Sequence, residues 1–278
     1  MGSPDFERDG ISMVDEKENR ISLDTGFALA GTAALWPVWL WFGRRLAASP
    51  EEATGLAAAA LAIAFAWRGA PSRMIGGNNL PTLLFALYAA AFPYAPPLAR
   101  AALGVTALAA LISRMRFGRA LDPGFWLLLL LSLPVMPSLQ FYCGYPLRRL
   151  ATLAAAILLR MQGIPVLADG AALEWAGRQI SVDAPCSGLK MLWAALVLSA
   201  AVSCYSRWGW RASTATGLLA VAIALTANTW RAAALFFVET NPALPAWLHE
   251  SVGLVCFTAA AAAVIAGAKG VEKWAAAR

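Results

Sequence analysis

The sequence predicts an all-α fold: a polytopic membrane helical bundle of about eight transmembrane helices, with one interfacial helix and a short extracytoplasmic hairpin. Apolar residues make up 60% of the 278-residue chain and charged residues 14%, against about 25% charged in soluble domains. The apolar residues form long blocks rather than amphipathic stripes, a pattern typical of helices in lipid. This composition excludes a water-soluble globule, a disordered chain and a disulfide scaffold.

The chain divides into a polar tail and one long apolar region. Residues 1–24 are polar and of mixed charge, without the basic start and apolar core of a signal peptide. The opening MGSPDF is compatible with a cloning remnant before a natural start at Met13, or with a native start. Residues 25–278 are expected to form a single transmembrane domain. Its expected spans are 26–43, 53–67, 80–97, 98–113, 124–142, 187–205, 214–238 and 252–268.

Segment 147–163 is predicted to lie along the membrane surface rather than across it. One helical face carries Leu147, Leu150, Leu153, Ile157 and Met161, and another carries Arg148, Arg149, Thr152 and Arg160. Charge at both ends of an apolar stripe is typical of an interfacial helix.

The distribution of positive charge predicts the topology. If the interfacial helix lies outside, both termini are cytoplasmic, with thirteen Lys and Arg residues inside and seven outside. A crossing helix would leave ten on each side, so the positive-inside rule favours the first arrangement. Segment 164–185 then lies outside, and its pattern predicts a hairpin with strands at 165–167 and 179–182 and a turn near Asp169–Gly170.

Two classes of partner are not expected. The net charge of +6 comes from basic residues between apolar blocks, where they set topology, so no nucleic acid is predicted. Four cysteines without CxxC spacing and one histidine argue against a metal site. No cofactor is expected.

Cys186, in the stretch DAPCSGLKML, is the candidate nucleophile. It is expected to open the sixth span from the outside, where the helix dipole stabilises a thiolate. Lys190, one turn later, can add to that effect, and the backbone N–H groups of Ser187 and Gly188 can bind an oxyanion. The alternative is a small buried apolar cysteine.

Arg231 and His249 are the candidate partners of this thiol. An arginine some 10 Å inside a span costs roughly 2.5–3.5 kcal/mol, which indicates an interior partner or a ligand. The alternative is an arginine that bonds to backbone carbonyls or that snorkels to the interface. Asn228, three residues earlier, shares its helical face and can orient it. His249 is the one imidazole in the chain and begins the eighth span, with Asp183 or Glu250 as candidate orienting groups; the alternative is an ordinary interfacial histidine.

The predicted topology brings these three side chains to the same side of the membrane. A thiolate, an imidazole and a guanidinium suffice for acyl transfer. The thiolate attacks a peptide carbonyl, the imidazole protonates the leaving amine and later deprotonates the acceptor, and the guanidinium stabilises the oxyanion.

VDAPCSGLKML, ANTWRAAALFF and HESVG together resemble the exosortase/archaeosortase family of membrane cysteine transpeptidases. The similarity covers about residues 145–268, with A-x-C-S-G, N-x-x-R and H-x-x-x-G in order. The resemblance implies Cys186, Arg231 and His249 as catalytic residues and the cytoplasmic (inner) membrane as the location, with the site facing outward.

The resemblance also implies the substrates and partners. These are exported proteins whose C-terminal sorting signal (PEP-CTERM-like) combines a short motif such as Pro-Glu-Pro, a transmembrane helix and a basic cluster. The new C-terminus would pass through a thioester to an acceptor, either a lipid or an amine. Membrane lipids are further partners, and bacterial members of the family often accompany exopolysaccharide systems. Two alternatives stay open: an intramembrane-edge cysteine protease with water as acceptor, and a non-enzymatic component of exopolysaccharide export.

Overall fold

The computed structural model describes residue 26 and residues 28–69, 79–181, 187–241, 243–245 and 247–276. Over these residues the chain is mostly helical, with one small antiparallel sheet. The prediction of a helical membrane protein is confirmed at this level.

The elements follow one another along the chain with short connections. Residues 28–34 are helical ahead of the first long helix. The helices are α1 (Trp36–Ala48), α2 (Gly55–Arg68), α3 (Leu80–Ala91), α4 (Pro97–Ile112), α5 (Pro123–Leu131), α6 (Met136–Met161), α7 (Leu189–Tyr205), α8 (Trp210–Thr240) and α9 (Trp247–Ala276). A 3-10 helix covers Pro50–Thr54 and a π-helix covers Ser113–Phe117. The strands are β1 (Leu167–Asp169), β2 (Ala172–Trp175) and β3 (Arg178–Ser181).

Eight membrane spans are not confirmed. In the described part of the chain, three helices are long and apolar enough to cross a bilayer: Pro97–Phe117, Trp210–Thr240 and Trp247–Trp274. The α5–α6 pair makes a fourth if it counts as one broken span. Helices α1, α2 and α3 have 13, 14 and 12 residues, short of the roughly 20 that a bilayer core requires.

The boundaries predicted for the fifth span and the interfacial helix are wrong. The single span expected over 124–142 is two helices, because α5 ends at Leu131 and α6 starts at Met136 at an angle of 93°. Pro134 lies in the break and Pro137 at the start of α6. A proline has no N–H to donate and disfavours helix at the residue before it, so this pair ends one helix and begins another. The span expected to end at 142 and the interfacial helix expected to start at 147 are not separate, since α6 continues through Pro146.

The segment after α6 is a three-stranded meander rather than the predicted two-stranded hairpin. The predicted turn near Asp169–Gly170 is confirmed, since Asp169 pairs with Ala172 across it. However, β3 pairs with the unpredicted strand β2, with Trp175 opposite Arg178. Val182, the last residue of the predicted return strand, lies outside the described residues.

By its contacts the chain divides into two compact units. The first contains Met1–Ala48 and Ala66–Asp122. Small residues let its helices approach closely: a Cβ on Gly31 would lie 3.0 Å from the Phe85 ring, and one on Gly104 would lie 2.8 Å from Leu35. Such close approach is how helices pack where lipid removes the hydrophobic drive between them.

The second unit contains Ser49–Phe65 and Pro123–Arg278, and Arg231 and His249 belong to it. Its sheet packs on α6 and α8 through a first buried apolar cluster. A second buried cluster, rich in alanine, joins α7, α8 and α9. The members of the first cluster are Ala155, Ala156, Leu159, Val166, Leu173, Ala232, Ala233 and Phe236. Those of the second are Met191, Ala195, Ala220, Ala224, Ala260 and Val264. The sheet and the α8–α9 pair are thereby fixed against each other.

Candidate active site

The segment around the candidate nucleophile is described only from Ser187 onward. Cys186 and Asp183 lie outside the described residues. Helix α7 begins at Leu189 with Gly188 as its N-cap residue. The helix thus begins two residues after the start of the expected span 187–205, and the predicted place of Cys186 at its opening stays a prediction.

Ser187 is buried and held by a residue from another helix. It is 3% exposed, and its Oγ donates a hydrogen bond to Oε1 of Gln140 in α6 at 3.3 Å. The same Oγ accepts a hydrogen bond from the Leu189 N–H at 3.4 Å. The side chain thus ties the start of α7 to α6.

Gly188 lies against Asn228 of α8. Its backbone has φ +78, and an added Cβ would come within 2.6 Å of the Asn228 Cγ and Nδ2. Asn228 itself is 4% exposed. Glycine is required here twice over, because the left-handed conformation disfavours a side chain and because Asn228 fills the space a side chain would need. This contact joins the segment that follows Cys186 to α8.

Arg231 lies one turn beyond Asn228 and against α9. An added Cβ on Gly253 would be 3.4 Å from the Arg231 Nε and Nη2. The Arg231 Nε is buried. A larger side chain at residue 253 would occupy the volume of the guanidinium, so Gly253 leaves room for it. The glycine of the A-x-C-S-G motif thereby contacts the asparagine of N-x-x-R, and the glycine of H-x-x-x-G contacts its arginine.

His249 lies one helical turn before Gly253, about 6 Å along α9 at 1.5 Å per residue. Its Nε2 is 3.9 Å from Oε1 of Glu239, near the end of α8. The imidazole is 39% exposed and the carboxylate 51%. Between this pair and the Arg231–Gly253 contact, Leu235 packs on Val252. The imidazole and the guanidinium therefore both lie at the α8–α9 interface, with the Leu235–Val252 contact between them.

Lys190 forms an ion pair with an acid from the 3-10 helix, and its predicted effect on the thiol stays a prediction. Its Nζ is 3.7 Å from Oε1 of Glu51, which lies in the 3-10 helix. Both side chains are more than half exposed. The neighbouring Glu52 is buried and accepts a hydrogen bond from the N–H of Met136 at 3.2 Å. These two acids connect the Pro50–Thr54 segment to the starts of α7 and α6.

A cavity of about 320 Å³ adjoins the histidine. One wall is strand β3, and the other is formed by α8 with Glu239 and by the first turn of α9 with His249. Arg178 contributes a cation to the strand wall. The cavity offers space for a ligand beside the imidazole.

Sequence reasoning missed Glu239 and Gln140. Glu239 follows a long predicted span and lies ten residues before His249. Two helices joined by a short connection bring their facing ends together, so the sequence spacing could have predicted this pairing. Glu250 was considered instead, but the ion pair of His249 is with Glu239. Gln140 carried no local signal, because its contact with Ser187 depends on how α6 packs. Among the described residues no cluster of three His, Cys, Asp or Glu side chains suits a metal ion.

Comparisons with known proteins give a family match. The family model described as transmembrane exosortase matches residues 26–266. No curated protein and no solved structure matches the chain.

Proposed function

The chain belongs to the transmembrane exosortase family, whose model spans most of its length, and from this membership we propose that it is a membrane cysteine transpeptidase. It cleaves the C-terminal sorting signal of an exported protein and transfers the new C-terminus to an acceptor. Cys186, Arg231 and His249 carry the chemistry.

The packing of the three motif segments on one another supports this proposal most directly. Gly188 contacts Asn228, and Gly253 contacts Arg231. Cys186 precedes Gly188 by two residues, and covalent geometry keeps Cα atoms two positions apart within about 7.6 Å. This proximity in the chain supports a role for the Cys186 thiol in attacking a peptide that also contacts the α8–α9 interface.

The proposed reaction has two steps. The Cys186 thiolate adds to the scissile carbonyl, and the guanidinium of Arg231 stabilises the oxyanion by charge-assisted hydrogen bonds. The His249 imidazolium donates its proton to the leaving amine, and a thioester remains on Cys186. The acceptor then attacks the thioester as the neutral imidazole takes its proton, and the thiolate is restored.

Glu239 is assigned as the positioning residue for His249. A carboxylate oxygen 3.9 Å from the imidazole Nε2 limits the orientations of the ring. The pair is exposed to solvent, so its contribution is modest.

Substitution of each catalytic residue tests the assignment. Cys186→Ala, Arg231→Ala and His249→Ala are each expected to abolish processing of a co-expressed reporter that carries Pro-Glu-Pro, a transmembrane helix and a basic cluster. Cys143→Ala is the control, since Cys143 carries a free thiol on α6. Arg231→Lys is also expected to be impaired, because an ammonium cannot reproduce the planar fork. Processing retained in the Cys186→Ala variant, at normal expression, would overturn the proposal.

The alternative acceptor is water, which would make the protein a cysteine protease. Mass spectrometry of the processed reporter distinguishes the two. An added mass at the new C-terminus identifies transfer and the acceptor, and a free carboxylic acid identifies hydrolysis.

A further inference from the structure

We propose that the free edge of strand β3 binds the substrate polypeptide as an added β-strand and so presents it beside His249. This inference rests on the proposed function, because it specifies how that site holds its peptide. The binding mode uses main-chain hydrogen bonds, which hold an extended peptide of any sequence, while side-chain contacts select among peptides.

The sheet leaves one side of β3 open. Its strand order is β1-β2-β3, so β3 is an edge strand, and no strand in the described part of the chain pairs with its outer side. An edge strand presents unpaired N–H and C=O groups that another extended segment can bind.

The register shows which backbone groups face outward. Trp175 and Arg178 are opposite each other across a two-residue turn, in which Ala176 and Gly177 both have positive φ, as in a type I′ turn. The pair that closes such a turn exchanges both of its hydrogen bonds, and bonded and non-bonded pairs alternate from there. Gln179 and Ser181 therefore direct their N–H and C=O groups away from β2.

The cavity meets β3 along this edge. Side chains of Gln179 and Ile180 project from opposite faces of a strand, yet both residues line the cavity. Adjacent residues of opposite faces both line a cavity that reaches the strand edge, and this cavity also extends beneath the sheet to Leu173 of β2. Ile180 also packs on the buried cluster beneath the sheet, so the edge is held in place.

The dimensions and the opposite wall match an extended peptide. A four-residue strand is about 13 Å long, and a cavity of about 320 Å³ falls within the usual range for ligand pockets. The facing wall carries the imidazole of His249. Since β3 ends five residues before Cys186 in the chain, the same segment supplies the binding edge and leads to the nucleophile.

Proline substitution tests the edge directly. Gln179→Pro removes an outward N–H without removing a bond to β2, and edge strands tolerate proline. It is expected to reduce reporter binding about 3- to 10-fold, the effect of losing one backbone hydrogen bond. Gln179→Ala keeps the N–H and is expected to lose clearly less. Ala168→Pro, at an outward position on the opposite edge strand β1, is the control for proline in the sheet.

Binding is measured by cross-linking in the Cys186→Ala background, so that the result does not depend on the chemistry. p-Benzoylphenylalanine placed at residue 240, on the facing wall of the cavity, is irradiated in the full chain with the reporter present. The expected result is a cross-link to the reporter that weakens with Gln179→Pro and persists with Ala168→Pro. If Gln179→Pro fails to fold, Ser181→Pro removes the other outward N–H.

Two results would overturn the proposal: equal cross-linking with and without the proline at residue 179, or cross-links only between two copies of the chain. A Cys186→Ala variant that still processes the reporter would instead refute the proposed function. The cross-linking result would then still decide whether β3 binds the polypeptide.

Discussion

Gly188→Ala is expected to destabilise the protein more than an alanine does at a positive-φ glycine that has open space around it. Two costs add at this position. The backbone has φ +78, and a left-handed alanine costs about 1–2 kcal/mol. The new Cβ would also lie 2.6 Å from the Asn228 amide, and such overpacking typically costs about 1–3 kcal/mol. The total is roughly 2–5 kcal/mol.

Gly163→Ala separates these two costs. Gly163 has φ +83, close to that of Gly188, but nothing lies within 4 Å of its added Cβ. It is expected to lose only the backbone cost, about 1–2 kcal/mol. The difference of about 2 kcal/mol corresponds to a Tm roughly 4–8 °C lower for Gly188→Ala, measured by thermal unfolding in detergent.

A double variant identifies the cause. Adding Asn228→Ala to Gly188→Ala removes the amide but leaves a Cβ 3.0 Å from the new methyl, so partial recovery of Tm is expected. Equal midpoints for Gly188→Ala and Gly163→Ala would refute the close contact between the A-x-C-S-G and N-x-x-R segments.

Three further predictions concern the α8–α9 pair and the topology. Gly253→Val is expected to displace the guanidinium and reduce processing at least tenfold, whereas Gly270→Val, on the same helix with open space around it, leaves processing unchanged; equal activities would contradict the contact. Glu239→Gln is expected to lower kcat about 2- to 5-fold with little change in KM, which is the scale of an exposed ion pair. Glu239→Asp is expected to lower kcat less. A change in KM alone would argue against a role of Glu239 in orienting the imidazole. An engineered cysteine at Ala171 is expected to react with an impermeant thiol reagent added outside intact cells while one at Gly209 stays protected, and the reverse pattern would invert the topology.

The long apolar elements were predictable from the sequence, but the breaks between them were not. A run as apolar as 214–238 has no stable alternative to a helix in lipid, and α8 contains it completely. The break after Leu131 was misplaced because several prolines occur between 134 and 146, and local sequence does not show which one the tertiary structure accommodates inside a helix. Strand β2 was missed because Ala176–Gly177 lacks the usual Asn-Gly signal, and Ala176 adopts φ +50.

The sequence singles out the candidate site residues, but it does not show the contacts that these residues make. Arg231 stood out because a buried charge in a span is costly, and His249 because it is the one imidazole in the chain. The partners Glu239 and Gln140 depend on which helix faces lie together. The predicted effect of Lys190 on the thiol follows from a local rule, the four-residue spacing. The ion pair of Lys190 with Glu51 has no such local signal, because Glu51 is far away in the sequence.

Helix α9 carries His249 in its first turn, and among the three described helices long enough to cross a bilayer it is the least enclosed, with 17% of its most apolar window buried. A helix packed on one side adjusts its tilt when the surrounding hydrocarbon layer thickens or thins. Tilting of α9 would move the imidazole relative to Glu239 and Gly253 relative to the guanidinium, since both contacts join α9 to α8. Acyl chain length in reconstituted vesicles would then tune the reaction rate, and the host lipid would act as part of the catalytic scaffold.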